Sequence, residues 1–187
     1  MKTMKVFLGG TLLILGLSAV SVNALSQDNK PTREERKEIK KAQMSRNFFI
    51  LDSLLNSRCF VLEADYLSNN MGNMISVTST LNFIRVEFTK GVLQTGNNVG
   101  MGLNGVGGVT AEGDIRSWQL TGNVKKLTHM LHFTLLTEIG EYDIFLTVTA
   151  DNNATATISG MGPGRLTWIG HLNMISNSRT FKGMNAI

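Results

Sequence analysis

The residues best suited to chemistry are three carboxylate pairs, each two positions apart: Glu63 and Asp65, Glu112 and Asp114, Glu141 and Asp143. Two carboxylates separated by several Å can cleave a glycosidic bond, one as acid and the other as nucleophile or base. That chemistry needs one of them desolvated, so that it stays protonated near neutral pH. Residues two apart share one face of a strand, and on a half-buried strand the charged face is the wet one. Glu63 and Asp65 lie opposite Phe60, Leu62 and Ala64, so both are predicted to point to solvent with ordinary acidity.

The histidines are His129, His132 and His171. His129 and His132 fall on opposite faces of a strand and cannot share one metal there. No His-Glu-x-x-His or paired-cysteine motif is present, nor a Gly-x-Ser-x-Gly elbow, so the sequence implies no metal and no cofactor. Asp151-Asn152-Asn153 lacks the ligand series of a calcium loop and reads as a hairpin turn. Cys59, the single cysteine, cannot form an intramolecular disulfide, and at the head of an apolar run it is predicted to be a buried, inert thiol.

Gly100, Gly102 and Gly105 match the dinucleotide-binding spacing Gly-x-Gly-x-x-Gly. That motif needs a helix to follow, whose N-terminus meets the pyrophosphate, and here strand-like sequence follows instead. The expectation is a loop in which Gly105, Gly107 or Gly108 supplies positive φ or close backbone approach. A functional variant places Asn104, Gly105, Gly107 and Gly108 at the rim of a ligand opening, with backbone N–H groups bared by the missing side chains.

The elements that would position these residues follow from periodicity. Thr32 and Glu35 form a capping-box pattern behind Pro31, and Met44, Phe48, Leu51 and Leu55 recur at helical spacing. This predicts an amphipathic helix over 32–57, charged in its first half and docked through Phe48 to Leu55. From residue 58 to 187 the period becomes two. Segments beginning at Phe60, Met74, Asn82, Val109, Leu127, Tyr142, Thr155 and Arg165 alternate between apolar and polar residues. Turn signals separate them, among them Lys90-Gly91, Thr121-Gly122-Asn123, Gly140-Glu141 and Gly162-Pro163-Gly164. The fold class is therefore all-β: an antiparallel sandwich or barrel of about eight strands with one N-terminal helix.

The N-terminus speaks to location. Lys2 and Lys5 precede an apolar run from Val6 to Val20, and Val22-Asn23-Ala24 then leads into polar sequence. This is the order of a secretory signal peptide over 1–24, cleaved between Ala24 and Leu25, with 25–31 a flexible start to the mature chain. No cysteine stands directly after the apolar run, so lipid attachment is not expected. The mature chain is expected to be soluble, periplasmic or secreted, with no membrane span. Residues 30–46 hold seven Lys/Arg against three Glu, whereas residues 47–187 hold nine against ten Asp/Glu. The basic character is thus confined to the helix and gives the body no nucleic-acid footprint.

Phe60-Val61-Leu62-Glu63-Ala64-Asp65 after a charged helix, then Asn82-Phe83, then Asn104-Gly105-Val106-Gly107-Gly108-Val109-Thr110, then Phe181-Lys182-Gly183, together resemble the bacterial family catalogued as domain of unknown function 4251, found mainly in Bacteroidota. The resemblance implies a Gram-negative envelope protein and brings no catalytic residues with it. Many members look like lipoproteins; this chain lacks the lipid-accepting cysteine. The expected function is a non-enzymatic module binding an envelope ligand or protein. The alternatives are a barrel carrying an apolar small molecule and a carboxylate-dependent hydrolase of glycan or cell-wall material. A large apolar cavity would favour the carrier; two inward-facing carboxylates in a cleft would favour the hydrolase.

Overall fold

The computed structural model describes residues 31–97, 103–160 and 164–185. The signal segment with Ala24 and Leu25, and the motif glycines Gly100 and Gly102, lie outside the described residues. Helix α1 (Arg33–Ser57) starts as its capping box dictates: Glu35 N donates to Thr32 Oγ1, and Thr32 N donates to the Glu35 carboxylate at 2.7 Å. It ends at Arg58, which adopts left-handed φ and whose N–H donates back to Leu55 O.

Nine strands follow: β1 (Cys59–Ser68), β2 (Met74–Ser76), β3 (Phe83–Glu87), β4 (Lys90–Gln94), β5 (Thr110–Asn123), β6 (Thr128–Thr137), β7 (Gly140–Thr149), β8 (Ala154–Ser159) and β9 (Arg165–Met174). From β3 onward each pairs antiparallel with the next, and β9 returns to pair with β1. This closes an eight-stranded up-and-down barrel and removes the sheet edges that an open sandwich would expose. The short β2 is an appendage: it pairs with Tyr66–Ser68 of β1, while β3 pairs with Cys59–Glu63.

The predicted alternation sets the inside. Leu131, Phe133 and Leu135 of β6 and Tyr142, Ile144, Leu146 and Val148 of β7 all enter one apolar core. Trp168 is fully buried there, with Ala156 beside it in register, so a small residue makes room for the largest. Phe48, Leu51 and Leu55 bury the docked face of α1 at the end of the barrel where β1 and β6 begin and β5 finishes.

Three predicted turns are displaced, and a strand was missed. Lys90-Gly91 is not a turn but the start of β4; the reversal is Phe88-Thr89, with Phe88 itself at positive φ. Gly91 is there for space, since a Cβ at that position would stand 2.9 Å from Leu135 Cδ1. Likewise Thr137 pairs with Gly140, which moves that turn to Glu138-Ile139, and Thr121-Gly122-Asn123 continues β5. The thiol of Cys59 is half-buried rather than buried, because the first residue of β1 faces outward while Phe60 faces in.

Candidate functional site

At the barrel end away from the helix, three buried amide side chains organise the loops. Asn82 Nδ2 donates to Thr78 O and Gly96 O, and its oxygen accepts from Gly96 N. Asn104 Nδ2 donates to Thr95 O and Thr110 Oγ1, and Oδ1 accepts from Val106 N and Gly108 N. Gln94 Nε2 donates to Leu81 O and Phe181 O, while Oε1 accepts from Thr110 Oγ1 and Gly183 N. For Asn104 and Gln94 every donor and acceptor position is thus used inside the protein.

This network gives the glycine-rich loop its requirements. Gly105 and Gly107 have positive φ, as predicted, whereas Gly108 is needed for close approach: a Cβ there would meet Thr95 O at 2.2 Å. The candidate rim residues Asn104, Gly105, Gly107 and Gly108 are therefore brought together, but the side chain of Asn104 faces the loop's own backbone. Sequence reasoning missed Gln94 altogether. The signal available was Phe181-Lys182-Gly183, whose glycine allows the close backbone approach to Asn104 O that a side chain would block.

That partner is the barrel's outer wall. After a 3-10 turn at Ile175–Asn177, residues 178–185 run as a strap over β3, β4 and β5. Phe181 N donates to Thr80 O, Met184 N donates to Asn104 O, and the Lys182 ammonium pairs with Glu112. The hydrogen bonds from Lys182 and Asn185 hold the Glu112 carboxyl below its usual range, against the opposing effect of burial. Ile175 covers a second, outward-facing apolar cluster of Val61, Phe83 and Val92.

The strap also changes the setting of the candidate carboxylates. Glu63 points away from the core, as expected, yet its side chain is only 13% exposed. Ser178 Oγ donates to Glu63 Oε1 at 2.6 Å, and His171 Nε2 lies 3.4 Å from Glu63 Oε2. A bulge separates Asp65 from Glu63; Asp65 is half exposed and meets the other nitrogen of the same ring, His171 Nδ1, at 3.3 Å. One imidazole thus sits between the two acids. The expectation that both carboxylates point freely to solvent holds for Asp65 and fails for Glu63, because the outer wall is covered by the strap. Glu112 and Asp114 pair with Lys182 and Lys90, beside a shallow groove of about 430 Å³. Asp143 accepts from Thr134 and faces His132, and the exposed ring of Phe145 stacks on His132 at 4.0 Å.

His129, on the inner face of β6, belongs to the helix junction. Its ring stacks on Phe48 at 4.2 Å, and Nε2 donates to Phe48 O at 3.0 Å. Nδ1 is buried and 3.6 Å from the Asp52 carboxylate, too far for a hydrogen bond. The Trp168 indole N–H is also without a hydrogen-bond partner among the described residues. Among these residues no group of three or more His, Cys, Asp and Glu side chains is arranged to hold a metal ion.

Fold and network together define a closed antiparallel barrel, capped at one end by an N-terminal helix and laced at the other by buried amides. The chain belongs to the family described as Domain of unknown function (DUF4251), which matches residues 32–172. It is similar to the crystal structure of a DUF4251 family protein from Bacteroides eggerthii, with 31% identity and a TM-score of 0.60 over 72% of this chain and 91% of that one. No curated protein matches it. No described helix is long and apolar enough to cross a membrane.

Proposed function

We propose that the protein is exported and acts in the bacterial envelope as a non-enzymatic binding module, through its outer surface. The observation that carries this reading is the filled barrel: Phe60, Leu62, Phe133, Ile144, Ile158 and Trp168 occupy its interior, each at most 2% exposed. A small-barrel carrier needs that space for cargo. The hydrolase alternative is disfavoured by the engagement of Glu63 with Ser178 and His171 under the strap. The charged start, short apolar core and Val22-Asn23-Ala24 exit support export, with release as a soluble chain beginning at Leu25 into the periplasm or beyond.

Native mass spectrometry of protein purified from the envelope tests both parts. The expected species has the mass of residues 25–187, and any adducts dissociate under mild activation. A small apolar molecule retained until the chain unfolds would install the carrier reading instead, and a mass retaining Met1 would refute processing.

A further inference from the structure

We propose that the outward face of α1 is a docking surface for an anionic lipid bilayer. At about 100° per residue, Arg36, Ile39, Lys40, Arg46, Ile50 and Leu54 fall within roughly one third of the helix circumference. None of the helix's carboxylates, Glu34, Glu35, Glu38 and Asp52, falls in that arc. Two of its apolar members are bare, Ile39 at 59% and Ile50 at 54% exposed, while Leu54 packs partly against the core; Phe49, about 60° beyond the arc, and Met174 of β9 are 60% and 52% exposed.

These residues are continuous in space. Arg46, Phe49, Ile50, Leu54 and Met174 line one shallow groove of about 580 Å³. Arg36, Ile39 and Lys40 line the next, of about 560 Å³, which Asp151 of the β7–β8 turn also borders. That carboxylate is already occupied by bonds from Thr149 and Asn153.

The choice of a lipid surface rests on charge and shape. Residues 33–46 carry six Lys/Arg and three Glu, while residues 47–187 carry nine Lys/Arg and ten Asp/Glu. The molecule is therefore polarised, with its positive end on the helix, and an anionic surface would orient it helix-first. The helix is exposed on every side from Arg33 to Gln43 and keeps Arg46, Phe49, Ile50 and Ser53 exposed where it docks, so it offers a ridge about 27 Å long between residues 36 and 54. The two grooves beside this ridge are shallow and open, and isoleucines set between long basic side chains enclose no small ligand. The ridge suits a planar, deformable surface, into which the apolar side chains sink while the cations meet headgroups.

The surface can be read in vitro whether or not the export reading holds. The chain from Leu25 onward, which keeps every described residue, is floated with phosphatidylcholine vesicles, with and without phosphatidylglycerol. It should float with the anionic vesicles only, and added salt should release it. Arg36→Glu with Lys40→Glu should weaken binding roughly thirtyfold or more, since each basic residue near such a surface contributes about fivefold. Ile50→Asp should also weaken it. Both changes lie outside the core, and matching thermal melts will establish that the fold is kept. No flotation with anionic vesicles, equal flotation with neutral ones, or binding indifferent to both variants would each overturn the proposal. Absence of vesicle binding together with a specific acidic protein partner on this face would overturn it equally.

Discussion

The backbone N–H of Gly183 donates to Gln94 Oε1 at 2.7 Å, joining two residues 89 apart in sequence. Gln94 Nε2 donates at 2.7 Å to Phe181 O, two residues earlier in the strap. One buried side-chain amide thereby recognises the strap as a neighbouring strand would, through both a carbonyl and an N–H. Because the same Gln94 oxygen accepts from Thr110, at the start of β5, the C-terminal segment is coupled to the strand that leaves the glycine-rich loop.

Gly183 is where this coupling is most easily broken. A Cβ there would stand 2.6 Å from Asn104 O and 3.0 Å from Val106 Cγ2. Gly183→Ala should therefore lift the strap, with destabilisation of about 1–3 kcal/mol. Gln94→Leu should cost a similar ~1–3 kcal/mol, by leaving buried backbone groups unpaired. In both variants the Met184 amide, now bonded to Asn104 O, should lose hydrogen-exchange protection, while the amides of β6 and β7 keep theirs.

Acid should loosen the strap at Glu112. Its folded pKa is lowered, first by the hydrogen bond from Lys182 and then by that from Asn185. A carboxylate with a depressed folded pKa contributes stability that is complete above its unfolded value and fades as pH falls through the folded one. The contribution should thus be intact above the ordinary glutamate value of 4.5 and disappear below it. Thermal melts across that range should show a steeper loss for the wild type than for Glu112→Gln. Parallel curves would mean that the pair is fully screened by solvent.

The helix junction should be costly to disturb. Phe48 is 3% exposed, stacks on His129 and accepts its Nε2 hydrogen at the backbone carbonyl. Phe48→Ala should cost ~3 kcal/mol in urea unfolding, through lost burial and the cavity left behind. Removing residues 25–41 should cost far less, since residues 32–43 are exposed and contribute nothing to the core. Equal losses would show that the overhanging half of the helix also anchors the barrel.

These sites differ in how far the sequence announces them. The strict alternation of His129, Leu131, Phe133 and Leu135 exposes the inner face of β6, because a strand half in water leaves a period-two trace. Gly91 misled for the opposite reason: glycine marks either a turn or a crowded wall, and only the packing of Leu135 and Ile115 against it separates the two. Strand closure left no local trace either, since the β1–β9 register joins segments about a hundred residues apart. The role of Gln94 was hidden because a polar residue at a strand end looks solvated until a distant segment covers it.

The carboxylate pair provides the sharpest test of the functional reading. Glu63 is held by Ser178 Oγ at 2.6 Å and flanked by His171, whereas Asp65 is half exposed and meets only the other ring nitrogen among the contacts described above. If these groups serve the strap, Glu63→Gln should destabilise by about 1 kcal/mol, because a charge-assisted bond to Ser178 becomes a neutral one. Asp65→Asn should change stability little, because an exposed pair contributes little in water. Neither change touches α1, so anionic-vesicle binding should remain at the wild-type level in both. A hydrolase makes the reverse forecast: folding nearly unaltered, with cleavage of peptidoglycan fragments by the wild type lost in Glu63→Gln. Measuring unfolding and fragment cleavage on the same three proteins separates the two, and activity abolished at Glu63 with stability intact would replace the binding module with an enzyme.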